Sequence, residues 1–323
     1  MELKGIHHVS AITANAQKNY HFYTDVLGMR LVKKTVNQDD TSMYHLFYAD
    51  SIGRPGTDLT FFEIPRAGTT YPGTSSISGT SLRVPDDKAL DYWLKRLTEK
   101  KVDHQGIKQQ GRHKTIPFQD PEGQRLTLNS DQHNEGVEGG QVWEHSSVPS
   151  DKGIIGLGPV RLTVKDPRPT EEILTNVLTF TKTGSYPNPV PGQKDIDIFS
   201  TGQGGHGAEV HLETRDDLEK ERPGRGSVHH VSFRVEDVKE LEEWVERLKS
   251  NRLPNSGIVE RYYFKALYFR EPNGILFELS TDGPGFAADE DVERLGETLS
   301  LPPYIESQRQ EIEAKLKPLE TSN

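Results

Sequence analysis

Along the 323-residue chain, apolar and polar positions fall into one order four times. A short strand-like run comes first, then an acidic or polar turn, an amphipathic helix and further strand-like runs. The last unit is the plainest. Residues 228–235 (VHHVSFRV) read as a strand, and Glu236-Asp237 open a helix whose apolar positions Val238, Leu241, Trp244, Val245 and Leu248 recur at helical spacing. Beyond a loop with Pro254, Asn255 and Gly257, strand runs are expected at 261–269 and 274–279, joined by Glu271-Pro272-Asn273-Gly274. The second unit repeats the plan: a strand at 80–84, Pro85-Asp86-Asp87, a helix carrying Leu90, Trp93, Leu94 and Leu97, then the matching turn Asp120-Pro121-Glu122-Gly123 and a strand at 124–128. The first unit runs from 6–10 through a helix around 19–27 to a strand at 59–64. The third runs from 160–164 through 170–178 to 207–212, with Pro and Gly scattered between its strands. The run 102–113, with His104 and His113 among Lys and Gln, reads as a solvated linker. Asp/Glu-rich helical character around 306–316 is expected to pack across a module or to make a subunit contact.

Length then sets the organisation. At roughly 150 residues per core, two domains are expected, 1–145 holding the first two units and 146–323 holding the last two with the helical tail. The net charge of −10 and the lack of a long basic run argue against a nucleic-acid partner. There is no cysteine, which excludes disulfides, thiolate metal sites and cysteine nucleophiles. The start of the chain has no apolar signal-like core, and no window approaches the ~18 apolar residues of a membrane span. A cytoplasmic protein without membrane contact is the expectation.

Aligning the units gives the histidines a pattern. The first-strand position of His230 is occupied by His8, Gly79 and Pro159 in the other units, and the last-strand position of Glu278 is matched to Glu63, Thr127 and His211. Ligand-capable residues thus pair in the first and fourth units. Imidazole plus carboxylate is a donor set for a first-row divalent ion, and His8, His230 and Glu278 on one face leave about three coordination positions open, as Fe(II) oxygen chemistry requires. Regular strand alternation lets only one of His7/His8 and one of His229/His230 face the ion. His45 and His211 lack a matched partner. No phosphate-binding glycine loop and no Gly-X-Ser-X-Gly elbow is present.

Across nearly its whole length the chain resembles the vicinal oxygen chelate superfamily, which includes glyoxalases, bleomycin-resistance proteins and extradiol dioxygenases. Within it the chain is similar to ring-cleaving dioxygenases of the hydroquinone 1,2-dioxygenase type. The resemblance rests on His7-His8, Lys33-Lys34-Thr35-Val36-Asn37, Tyr44-His45-Leu46-Phe47-Tyr48-Ala49-Asp50, Gly56-Thr57, His229-His230 and Phe277-Glu278 in combination. It implies an α+β fold of four βαβββ modules in two cups, the first module paired with the fourth and the second with the third. It also implies Fe(II), with Mn(II) as the alternative, held by His8, His230 and Glu278. Tyr268 and Arg261 match positions beside the substrate, and His7 and His229 match histidines behind the ligands; these four are the implied catalytic set. The implied reaction is ring cleavage of a hydroquinone- or catechol-type diol by O₂, in a protein compatible with homo-oligomers. Two other readings remain open at this point. One is a glyoxalase-like isomerase or thiol transferase using Glu63 as a fourth ligand; the other is a non-enzymatic protein that binds a drug or quinone.

Overall fold

The computed structural model describes residues 1–321. The first module consists of β1 (Ile6–Thr13), α1 (Ala16–His21), β2 (Arg30–Asn37), β3 (Asp40–Ala49) and β4 (Asp58–Glu63), and the second of β5 (Ser76–Val84), α2 (Asp87–Glu99), β6 (Lys108–Gln110), β7 (His113–Gln119) and β8 (Arg125–Ser130). The third module holds β9 (Gly156–Val164), α3 (Arg168–Glu172), β10 (Thr181–Tyr186), β11 (Ile196–Ser200) and β12 (Glu209–Thr214). The fourth holds β13 (Val228–Val235), α4 (Val238–Ser250), β14 (Asn255–Glu260), β15 (Lys265–Arg270) and β16 (Leu276–Thr281).

The helices form where the pattern places them. α2 and α4 are each N-capped by an aspartate: Asp86 accepts from the Ala89 N–H and Asp237 from the Glu240 N–H, satisfying donors that the first turn leaves free. Trp93 and Trp244, at the centre of their apolar stripes, are fully buried. α1 and α3 are shorter and each widens into a π-type turn, Phe22–Val26 and Ile173–Val177. Arginines from the neighbouring module close these turns: Arg96 Nε donates to the Val26 carbonyl at 2.8 Å and Arg247 Nε to the Val177 carbonyl at 2.6 Å.

The two Pro-X-Gly turns match in detail. The Asp120 and Glu271 carboxylates are buried, and each accepts the N–H of the residue four further on, Gln124 and Ile275, at 2.9 Å. Each also receives a hydroxyl from the preceding module, Tyr23 at 3.2 Å and Thr170 at 2.7 Å. Sequential modules therefore touch through helices and turns.

Their strands pair differently. One eight-stranded sheet has the order β14-β15-β16-β13-β1-β4-β3-β2 and the other β10-β11-β12-β9-β5-β8-β7-β6, so the first module joins the fourth and the second joins the third. The sheets are curled half-barrels, as the paired cups require.

Three local expectations need correction. The loop with Asn255 and Gly257 is strand β14, and the run expected at 261–269 begins as a turn that enters β15 only at Lys265. The expected linker at 102–113 contains β6, which pairs with β7, and the His113 ring packs 4.0 Å from that of His206. The C-terminal stretch lies across the first module. α5 (Arg309–Lys315) buries Ile312 against Val36, Leu301 and Ile305, and Lys34 Nζ donates to Thr321 Oγ1 at 2.7 Å. No helix among the described residues is long and apolar enough to cross a membrane.

Candidate metal centre

β1 and β13 are the central antiparallel pair of the first sheet, and two irregularities in their register build the site. Ile6 pairs with Phe233 but His8 with Ser232, leaving His7 as an extra residue; Ser10 pairs with His230 but Ala11 with Val228, leaving His229 extra. Each adjacent His-His pair thus sits at a β-bulge, which breaks strict alternation and lets both side chains reach the same region. His8 and His230 then meet across the strand pair, their Nε2 atoms 3.2 Å apart. Glu278 enters from β16, which runs parallel to β13 with Glu278 beside Ser232. Its Oε2 lies 2.7 Å from His230 Nε2 and 3.3 Å from His8 Nε2.

These are the separations expected of neighbouring ligands on one ion, since donors about 2.1 Å from a metal at right angles stand about 3 Å apart. His8, His230 and Glu278 form the one such cluster among the described residues, and all three are buried. The carboxylate is aimed at the centre from behind: Ser232 Oγ donates to Ser280 Oγ at 2.7 Å, and Ser280 donates to Glu278 Oε1, also at 2.7 Å. Oε2 is left as a buried oxygen with no hydrogen bond, despite the imidazoles beside it. A fully buried, unpaired carboxylate oxygen is costly; a cation between the three atoms satisfies it. Burial alone would raise the Glu278 pKa, but proton charge on the His8 and His230 rings outweighs it and holds the carboxyl well below the usual range; a bound cation would take over the role of that charge and leave both rings neutral.

The imidazoles face the centre with the correct nitrogen. His7 Nε2 lies 3.1 Å from the Thr281 carbonyl, which can only accept, so this nitrogen carries the proton. Burial and the neighbouring His8 push the His7 pKa down to about 3, so the ring is neutral and its Nδ1 is an acceptor. His8 Nδ1, 2.9 Å away, must then be the donor, which leaves the His8 Nε2 lone pair facing Glu278. His229 Nδ1 makes the same contact with His230 Nδ1 at 2.8 Å, from an exposed position at the pocket mouth.

A cavity of about 210 Å³ opens over the three atoms, walled by Phe47, Phe62 and Phe264 and reached by Tyr268 and Arg261. Tyr268 pairs with Glu278 across β15 and β16. Arg261 Nε donates to the Tyr268 hydroxyl at 3.1 Å, while its other nitrogens hold Asp39 at 3.0 and 3.2 Å. Burial, then the Glu278 charge, raise the Tyr268 pKa, with Arg261 opposing.

Two residues stand differently from the sequence reading. In the parallel pairing of β1 with β4, Ser10 lies beside Thr60, so Thr60 and not Glu63 occupies the place that Glu278 holds in the fourth module. Glu63 is three residues further on, and its Oε1 accepts the Ala16 N–H at 2.9 Å at the start of α1. His45, without a matched partner in the repeat, lines the cavity from β3, packed at a tilt between Phe47 and Phe62 with Nε2 3.0 Å from Thr60 Oγ1. The sequence signal for it was the alternation in Tyr44-His45-Leu46-Phe47, which turns His45 and Phe47 to one face.

Four modules in two curled sheets, with a buried two-histidine, one-carboxylate cluster at one seam, define a class. The profile of the Glyoxalase/Bleomycin resistance protein/Dioxygenase superfamily matches residues 5–128 and 156–279, and the chain belongs to that family. It is 55% identical over 320 residues to a Bacillus subtilis protein named "Putative ring-cleaving dioxygenase MhqA", covering 99% of this chain and 100% of the relative. It is 28% identical to the "Chlorohydroquinone/hydroquinone 1,2-dioxygenase" of Sphingobium indicum, covering 96% and 95% of the two chains. A crystal structure of a B. subtilis protein described as a "putative dioxygenase" superimposes with a TM-score of 0.89 at 34% identity, over 100% of this chain and 99% of that one.

Proposed function

We propose that the chain is an Fe(II)-dependent ring-cleaving dioxygenase that opens a hydroquinone-type aromatic diol with O₂, with His8, His230 and Glu278 as the metal ligands. The observation that carries this reading is the convergence of two imidazole lone pairs and the unpaired Glu278 Oε2 beneath an aromatic-walled cavity. The names of the relatives support the reaction class. Iron bound there would supply a Lewis acid that lowers a phenol's pKa and a centre that both diol and O₂ can reach.

The chain's own groups do the rest. Phe62 and Phe264 offer apolar faces for the ring and keep water from it. The Tyr268 hydroxyl accepts from Arg261 and directs its own proton toward Glu278 at the base of the pocket, and its raised pKa keeps that proton in place until it is needed. Arg261, anchored by Asp39, balances negative charge that develops as the diol loses its protons. His45 has its pKa pushed well below the ordinary value, by burial first and then by His8 and His230, so it is a neutral donor or acceptor. It sits on β3, two strands from β1, about 10 Å along the sheet, where it can meet the second oxygen of a diol whose hydroxyls are opposed across the ring.

Glu63, engaged with the start of α1, argues against a four-ligand glyoxalase-type site. Anaerobic titration with Fe(II) tests the ligand set. One equivalent bound by the native chain, and none by His230→Ala or Glu278→Gln, is expected; retained stoichiometric binding in both variants overturns the assignment.

A further inference from the structure

The sheet of the second and third modules also encloses a cavity, and its chemistry differs from that of the metal centre. It measures about 830 Å³ against about 210 Å³. The strand positions that carry His8 and His230 in the first sheet carry Gly79 and Pro159 in this one, so those two positions offer neither imidazole volume nor a donor atom. His211, at the place of Glu278, is already engaged: its Nδ1 meets the Tyr186 hydroxyl at 3.0 Å and its Nε2 the Glu209 carboxylate at 3.2 Å.

In place of a metal set, the cavity presents two arginines. Arg161 on β9 pairs with Gly79 on one side and with His211 on the other, and Arg125 opens β8. A Cβ built on Gly79 would lie 3.7 Å from the Arg161 Cβ and 4.0 Å from the Arg125 carbonyl oxygen, so both residues flank the missing side chain. Arg125 has a partner in Glu221 at 3.3 Å, but burial pushes the Glu221 pKa up to about 7 against the pull of Arg125, so its compensating charge is incomplete near neutrality. Arg161 meets the Tyr186 hydroxyl, but its Nε is buried without a hydrogen-bond partner, and Arg161 makes no ion pair among the described residues. A guanidinium stays protonated whatever its surroundings. With a hydroxyl but no carboxylate opposite it in a partly enclosed cup, its charge is uncompensated, and its planar fork fits one kind of partner best, the two oxygens of a carboxylate. Pro117, Phe118 and Pro159 add an apolar wall beside it.

We infer that this second cavity binds a small organic carboxylate, its acid group held between Arg161 and Arg125 and its hydrocarbon body against the proline and phenylalanine wall. The inference does not depend on the reaction proposed for the metal centre, because the two cups lie in different sheets and the test reads binding, not turnover.

The experiment is calorimetric titration of the full-length, metal-loaded protein with sorbate, a six-carbon dienoate, and in parallel with inorganic phosphate. Sorbate is expected to bind once per chain, to the native protein and equally to His230→Ala, whose metal centre is disrupted. Arg161→Gln should weaken it about 10- to 100-fold, the loss expected when a hydrogen-bonded charge is removed. Gly79→Val, which inserts a side chain between the two arginines, should abolish it by a different route, with circular dichroism showing both variants folded. Sorbate binding that disappears in His230→Ala, binding unchanged in both Arg161→Gln and Gly79→Val, phosphate bound in preference to sorbate, or no binding of either anion would each overturn the inference.

Discussion

His7 and Thr281 stand at opposite ends of the sequence, yet the His7 Nε2–H donates to the Thr281 carbonyl oxygen at 3.1 Å. That single bond sets which nitrogen of His8 is free, through the His7–His8 contact at 2.9 Å. Groups that orient a ligating histidine in this way typically contribute 10- to 100-fold to metal affinity. His7→Phe should therefore weaken Fe(II) binding by about that factor in a competition titration, with the fold retained. An affinity equal to the native one would mean that His8 is oriented by something else.

Metal removal should be visible in stability. Glu278 is 0% exposed and its Oε2 has no hydrogen bond, so on the proposed assignment the native fold would bind the ion while the unfolded chain would have no such site. Free metal at a hundredfold excess over Kd adds about 2.7 kcal/mol, several degrees in Tm for a chain of this size. Thermal denaturation with and without Fe(II) should show that gap in the native protein and none in Glu278→Gln. A gap that persists in Glu278→Gln places the ion elsewhere.

Glu63 should prove structural. Its carboxylate caps the Ala16 N–H, so Glu63→Ala is expected to lower stability by about 1 kcal/mol, as loss of a helix N-terminal acceptor does, without changing metal stoichiometry. Loss of the metal in this variant would restore the four-ligand reading.

Lys33 ties the C-terminal segment to the first module. Its ammonium is fully buried, 2.7 Å from Asp289 and also paired with Glu290, and it lies 4.7 Å from the ring centroid of Tyr263, which lines the cavity. Removing one partner of a buried ion pair costs about 3–5 kcal/mol because the other charge is left uncompensated. Lys33→Ala should lower the urea midpoint accordingly; a change within error would show the acids finding water instead.

How far the sequence carried these conclusions depended on the kind of signal. The His-His openings and the two Pro-X-Gly turns are local and survive in the structure as matched bulges and matched carboxylate-closed turns. The place of Glu63 was misread because 59–64 and 275–279 share an apolar run with Phe-Glu before its last residue, and only the inter-strand register puts Thr60 opposite Ser10. The bulges that bring His7 and His229 to their neighbours' side are properties of the β1–β13 pairing, which joins residues more than 200 positions apart, so strict alternation could not reveal them. His45 and the β6 hairpin were passed over for a similar reason: their significance lies in what a distant strand places beside them.

Tyr268 bears on the chemistry alone. Tyr268→Phe removes the hydroxyl that meets Arg261 but no ligand atom, so it should keep one equivalent of iron and lose about 10²- to 10⁴-fold in turnover, the usual contribution of a positioned proton donor. Unchanged turnover would remove Tyr268 from the mechanism.

The central claim is tested most directly by oxygen uptake from anaerobically purified protein reconstituted with one equivalent of Fe(II) and offered methylhydroquinone or catechol. The account predicts stoichiometric O₂ consumption with a ring-opened product, faster on the hydroquinone and abolished in His230→Ala. Tight iron binding with no uptake on either diol would contradict it.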